Sequence, residues 1–534
     1  MRFSRIHFLI GGASWLVLAA SGAAAQTACA ELPGADFERL DIVSADLVAA
    51  TDAHPERCEV LAEIPAQSND EWTRPITFRT ILPSEWNGNS IQFGGGGYNG
   101  QLTEQDGPRW QTAEAADQFP FAGYATFQGD SGHSVDDLPY DNNVDPRRAS
   151  FAPYDEALTR YGYKALLETF QAGMQIIEAH YGTAPEFSYF FGFSNGGREA
   201  LQVAQRYPQN YDGILAGDPV LNLTGLSLLH LEKSKNFFEN DGEAWVPPEK
   251  GALVTNEIYE QCDAIDGLAD DMIADYRMCE PDLSPLLCAG EETMECLTAA
   301  QLDAVNAIHA PSTLEVELAN GVMGHSGYPW GNVRWQGVFA GARPVPSTPA
   351  PNQGGVNDSY LYSLGEGFAR FFIAENAEEN PLQFDQNDPK WSDRTAEVSA
   401  IIDATDPDLS DFADAGGKII FYAGGASEVP PAEFVTYWDR MAATMGSDTV
   451  DEFARFYVFP SLHHSGAGRE GIPNSADLLT AIENWVTEGE APGVLTNINA
   501  DSGVSRPLCV FPAYARYDGE GDESEATSFD CVTE

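Results

Sequence analysis

Basic residues are scarce in this chain: 28 Lys and Arg stand against 82 Asp and Glu, a formal net charge of −54 at pH 7. A surface that acidic repels nucleic acid and anionic membranes, and it suits a protein kept soluble in salty surroundings. No C-x-x-C spacing occurs, which argues against a zinc ribbon or a thioredoxin-like redox centre. No internal repeat is visible. Past residue 25 no run is long and apolar enough to cross a bilayer. Residues 1–25 themselves carry Arg2 and Arg5, a short apolar run at Trp15–Ala20, and Ala23-Ala24-Ala25. This is the pattern of a secretory signal cut before Gln26, so the mature chain is expected to be soluble and secreted or periplasmic.

What is present is enough for a large buried core. At 534 residues and 43% hydrophobic, the chain is too long for one compact unit and two domains are expected. The eight cysteines are even in number, and an exported chain places them in disulfides. They fall into four sequence-local couples, and closing neighbours costs the least loop entropy. The expected pairs are Cys29–Cys58, Cys262–Cys279, Cys288–Cys296 and Cys509–Cys531.

One stretch organises the rest. Phe187-Ser-Tyr-Phe-Phe-Gly-Phe-Ser-Asn-Gly-Gly-Arg198 reads as an aromatic strand, then Gly192-Phe193-Ser194-Asn195-Gly196, then a helix to about Tyr207. A serine in G-x-S-x-G between strand and helix sits on a sharp elbow with its hydroxyl pushed outward. The next backbone N–H, that of Asn195, starts the helix and points to where a substrate oxygen would lie. Upstream, the strand Ser90–Phe93 runs into Gly94-Gly-Gly-Gly-Tyr-Asn-Gly100. Glycines after that strand expose backbone donors, and Gly96 or Gly97 is the candidate second oxyanion donor.

Around these lie further strands at Ile76–Leu82, Ala122–Asp130 and Tyr211–Gly217, and a helical pattern at Tyr161–His180. His133, in a turn before the serine, reads as structural. After about residue 220 the strand–helix rhythm stops, through a cysteine-rich acidic stretch and a Pro-, Gly-, Trp- and Asn-rich one. It resumes at Gly416–Tyr422 and Phe453–Phe459, followed by a helix at Ser475–Val486. The expected fold is α/β, with a hydrolase core (26–221 and 413–534) and an inserted lid (222–412).

A serine hydroxyl needs a base. In the order Ser…acid…His the base follows the last strands, in Pro460-Ser-Leu-His-His-Ser-Gly466. His464 is the expected base, with His463 the alternative. The acid is sought after the preceding strand, in Tyr422-Ala-Gly-Gly-Ala-Ser-Glu428, where Glu428 is the only carboxylate. It would hold the imidazole tautomer and stabilise the imidazolium. Asp263, Asp266, Asp270 and Asp271 cluster around a glycine turn, and hard oxygen ligands from a short loop suit Ca2+.

Taken together, the chain resembles the tannase/feruloyl esterase family, part of the α/β-hydrolase superfamily. The resemblance rests on Gly94–Gly100, Gly192–Arg198, Asp263–Asp270, Asp406–Phe412 with Gly416–Ile420, and Arg506–Cys509 through Ser528–Cys531. It implies a serine ester hydrolase acting on aromatic or other small carboxylic esters. It also implies a structural calcium in the lid, held by Asp263, Asp266 and Asp270 with the carbonyls of Leu268 and Met272. Two departures stand out. Phe193 and Ser465 occupy places where the family usually has a bridged pair of cysteines. The family's triad aspartate is also absent, with Glu428 at or beside its place. A non-catalytic, calcium-stabilised binding protein, or a Ser–His pair working without an acid, are the alternatives. Trp330, Trp335 and Trp391 are candidates for lining an aromatic pocket. Neither the ester nor the oligomeric state is legible.

Overall fold

The computed structural model describes residues 27–51, 55–70, 72–102, 123–134, 146–331, 335–340, 359–466 and 468–533. The expected signal at 1–25 lies outside them. No helix of the described residues is long and apolar enough to cross a membrane.

Among the described residues a nine-stranded sheet forms, in the order β1-β2-β3-β5-β4-β6-β7-β10-β11. Its first strands, β1 (Asp41–Val48), β2 (Arg57–Ile64) and β3 (Ile76–Pro83), pair antiparallel, and β3 pairs antiparallel with β5 (Ala125–Gly129). From β5 onward every pairing is parallel, through β4 (Ser90–Phe93), β6 (Ser188–Phe193), β7 (Gly213–Gly217), β10 (Lys418–Gly424) and β11 (Ala454–Phe459). Parallel strands need crossovers, and these cover both faces of the sheet with helices. β7 is accordingly buried at all five positions.

Period two sorts the side chains of the central strands. Tyr189 and Phe191 of β6 pack with Ile420, Tyr422 and Trp485 on one face. Phe190, Ile419 and Phe421 pack with Ala200 and Val203 on the other. The helices over these faces include α1 (Ala165–Tyr181), α2 (Asn195–Arg206) and the C-terminal Leu478–Glu488. The strands and helices expected from periodicity are all present, with ends shifted by a few residues.

Between β7 and β10 the chain adds no strand to this sheet among the described residues; only the small hairpin β8 (Ser312–Leu318) and β9 (Val322–His325) forms. Helix α3 (Leu223–Lys235) is buried on nearly every side, its five leucines packed into the core and Thr224, Ser227, His230, Lys233 and Ser234 buried with them. It centres a core that also takes in Phe151, Leu158 and Tyr161 from before the elbow. This inserted region therefore shares its apolar interior with the sheet region. Arg198, fully buried in α2, ties the two together by donating to the carbonyls of Gly162 and Ile402 at 2.8 Å each. All four expected disulfides form, and no cysteine is free.

Candidate active site

Strand β6 ends at Phe193, and Ser194 turns the chain into α2 with φ 63° and ψ −120°. Such a backbone is strained for a residue with a Cβ. The turn is held by the Ser194 N–H donating to the Gly217 carbonyl (2.9 Å), and by the Ser194 carbonyl accepting from Arg198 and Val220. The two glycines of the motif are steric necessities. A Cβ on Gly192 would stand 2.0 Å from the Gly196 carbonyl oxygen, and one on Gly196 would stand 2.8 Å from that of Gly95. The second contact shows the glycine loop after β4 packed directly on the elbow.

His464 arrives from the end of β11, after a left-handed Ser461 (φ 55°). Its Nε2 lies 2.8 Å from Ser194 Oγ, and the Phe193 ring lies 4.9 Å from the imidazole. Phe193, at one of the two positions where the resemblance implies bridged cysteines, thus packs against the imidazole. His463 points elsewhere: its Nδ1 lies 3.2 Å from the Ala426 carbonyl, and the side chain is buried. His133 is also structural, stacked on Phe151 at 3.8 Å with Nε2 2.9 Å from the Tyr98 carbonyl. Burial drives its pKa down to about 4.

The carboxylate facing His464 Nδ1 is Asp218, not Glu428. Asp218 follows β7, is fully buried, and places Oδ2 in a very short hydrogen bond with Nδ1. Two more donors hold it: Ser427 Oγ on Oδ2 at 2.5 Å and the Gly424 N–H on Oδ1 at 3.3 Å. Glu428 instead accepts the backbone N–H of His464 at 2.9 Å, which orients the histidine loop. The expectation failed because it searched only the turn after β10. β7 and β10 are neighbours, so both of their ends open beside the same imidazole. The available signal was an Asp at the end of a wholly apolar strand, in Gly217-Asp218-Pro219.

The segments that carry the expected oxyanion donors touch each other, Gly196 packing on Gly94 and Gly95. As the first residue of α2, Asn195 has an N–H with no acceptor within the helix. Gly96 and Gly97 close the glycine loop, and a Cβ at either would meet nothing within 4 Å among the described residues, so this end borders open space. The loop is locked by Glu199, one turn into α2 and 2% exposed. Its carboxylate accepts from the Gly95 N–H (2.7 Å), Asn99 Nδ2 (2.6 Å) and Asn195 Nδ2 (3.0 Å). Burial raises the Glu199 pKa, while Arg198 and these donors pull it back. The Tyr161 hydroxyl adds a contact to the Gly97 carbonyl at 3.1 Å. Sequence reading missed Glu199 because a glutamate in a helix has no motif of its own.

The acidic loop forms apart from this cluster. Asp263 accepts from the N–H groups of Asp270, Asp271 and Met272, and Asp266 from that of Leu268. Asp270 pairs with Arg506 at 2.5 Å through one oxygen, and its other oxygen is buried with no hydrogen-bond partner among the described residues. Burial, then the charges of Asp270 and Asp263, push the Asp266 pKa up to about 7. A hard cation would relieve both conditions, so the donor chemistry fits Ca2+. Among the described residues, however, no three His, Cys, Asp or Glu side chains converge as a ready ligand set. The three tryptophans pack within the inserted region: Trp330 on His309, Trp335 beside Phe339, and Trp391 on Phe384.

A mixed sheet, parallel from β5 to β11, with a strand–serine–helix elbow, an imidazole on that serine and helices on both faces is an α/β-hydrolase fold. Residues 58–532 match the family described as tannase and feruloyl esterase. The chain belongs to this family, and it is a carboxylic ester hydrolase. It is 33% identical over 511 residues to an uncharacterized esterase of Agrobacterium fabrum, covering 92% of this chain and 89% of that one. It is 30% identical over 544 residues to mono(2-hydroxyethyl) terephthalate hydrolase of Piscinibacter sakaiensis, covering 92% and 87%. Among solved structures, feruloyl esterase B from Aspergillus oryzae superposes with a TM-score of 0.77 at 22% identity, over 93% of this chain and 98% of that one.

Proposed function

We propose that the chain hydrolyses small, aromatic carboxylic esters through an acyl-enzyme on Ser194. Ser194 Oγ attacks the ester carbonyl carbon while its proton passes to His464 Nε2. The tetrahedral oxyanion is held by the Asn195 N–H and that of Gly96 or Gly97. Collapse breaks the bond to the alcohol, which leaves with the proton from Nε2. Water then repeats the sequence on the acyl-enzyme, releasing the acid and restoring Ser194. Asp218 holds the imidazole with Nδ1 protonated and stabilises the imidazolium without itself taking the proton. The observation that carries this reading is the continuous chain from Ser194 Oγ through His464 to the buried Asp218.

The aromatic preference rests on relatives named for terephthalate monoester and ferulate substrates. The region 222–412 would act as the lid that selects the acyl group. A structural Ca2+ would bind the acidic loop through Asp263, Asp266 and Asp270 with the carbonyls of Leu268 and Met272. Export is supported by the four disulfides. With Asp218 on the imidazole, no feature favours the binding-protein alternative. The test is Ser194→Ala assayed on p-nitrophenyl butyrate, with fluorophosphonate labelling in parallel. Turnover should fall by about a millionfold and labelling should vanish. Retained activity rejects Ser194 as nucleophile.

A further inference from the structure

Two strand ends compete for one imidazole nitrogen. Asp218 closes β7 and Ser427 follows β10, and Ser427 Oγ lies 3.4 Å from His464 Nδ1 as well as 2.5 Å from Asp218 Oδ2. A carboxylate only accepts, so the hydroxyl proton of Ser427 is committed to Asp218. One of its two lone pairs is used as well, since the Val429 N–H donates to Oγ at 3.0 Å. Ser427 is fully buried and held from both sides, which fixes its rotamer.

Asp218 itself is bent into place. Its φ of 42° is left-handed, a conformation Asp tolerates better than most residues, and its N–H donates to the Tyr422 carbonyl at 2.6 Å. The side chain is thereby turned from the end of its own strand across the end of β10, where Ser427 receives it.

We propose that Ser427 is a positioning residue that aims Asp218 at His464: with the Gly424 N–H it fixes the carboxylate that meets Nδ1. The inference rests on the reading of Ser194 and His464 as nucleophile and base, and extends it to the residue that holds the acid.

The experiment compares four purified full-length variants on p-nitrophenyl butyrate, each checked for its fold by circular dichroism. Ser427→Ala should lower kcat about tenfold at unchanged KM, the loss of one hydrogen bond's worth of orientation. Ser427→Thr, which keeps the hydroxyl, should recover most of it. Asp218→Ala should lose about a thousand- to ten-thousandfold. Adding Ser427→Ala to Asp218→Ala should cost no more than about twofold further, because Ser427 acts through Asp218. A folded Ser427→Ala enzyme with the wild-type kcat, or a folded double variant that loses the same tenfold again, overturns the proposal. Full activity in Ser194→Ala would instead overturn the underlying reading.

Discussion

Two regions of this molecule gather buried carboxylates, and they solve the burial problem in opposite ways. At the ends of β7, β10 and β11 the carboxylate of Asp218 is surrounded by donors: the Gly424 N–H, the Ser427 hydroxyl and the His464 imidazole. In the acidic loop, Asp263, Asp266 and Asp270 crowd one another with Arg506 as the nearby cation. Burial and mutual repulsion leave Asp266 with a raised pKa, and one oxygen of Asp270 stays without a partner among the described residues. A buried charge without enough donors is costly, whereas one that is fully donated to is not. The difference teaches that carboxylate density does not mark the chemistry. The set of partners does: one region is complete with its own side chains, and the other leaves a carboxylate oxygen of Asp270 without a partner among the described residues.

Three measurements would break or sharpen this contrast. Asp218→Asn keeps the shape but removes the charge, and it should cost about a thousand- to ten-thousandfold in kcat with a melting temperature near that of the wild type. A loss smaller than tenfold would mean that the donors around Asp218 serve only the fold. Glu428→Gln should cost less than about tenfold, because an amide oxygen can still accept the His464 N–H. A loss matching that of Asp218→Asn would return the role of acid to Glu428. Chelation with EDTA should give the smallest effect on chemistry. A fall of about 3 °C in melting temperature, reversed by added Ca2+ with kcat unchanged at 25 °C, is expected of a structural ion binding only the folded state. An unchanged melting temperature would make the acidic loop self-sufficient, closed by Arg506 alone.

Much of the site was legible because its parts are local. The elbow needs glycines on both sides of Ser194, since a Cβ on Gly192 or Gly196 would stand under 3 Å from backbone atoms. His464 was legible through its position after the last strand of the sheet. The disulfides were legible because each joins neighbours in sequence. Glu199 was not, since its task is to clamp a loop about a hundred residues earlier in the chain. Trp330, Trp335 and Trp391 carry no signal that separates packing from substrate contact, and the structure packs each against neighbours of the inserted region.

Composition and motif alone determined that this chain is an acidic α/β protein, bridged by four local disulfides and built around a serine elbow. Those features follow from short-range sterics and chain entropy. Which carboxylate meets the histidine was decided only by tertiary structure. Strands distant in sequence lie side by side in the sheet, and parallel neighbours deliver their ends to one point whatever stretch of chain separates them. A buried charge then settles wherever the most donors converge, and that point exists only once the sheet has formed.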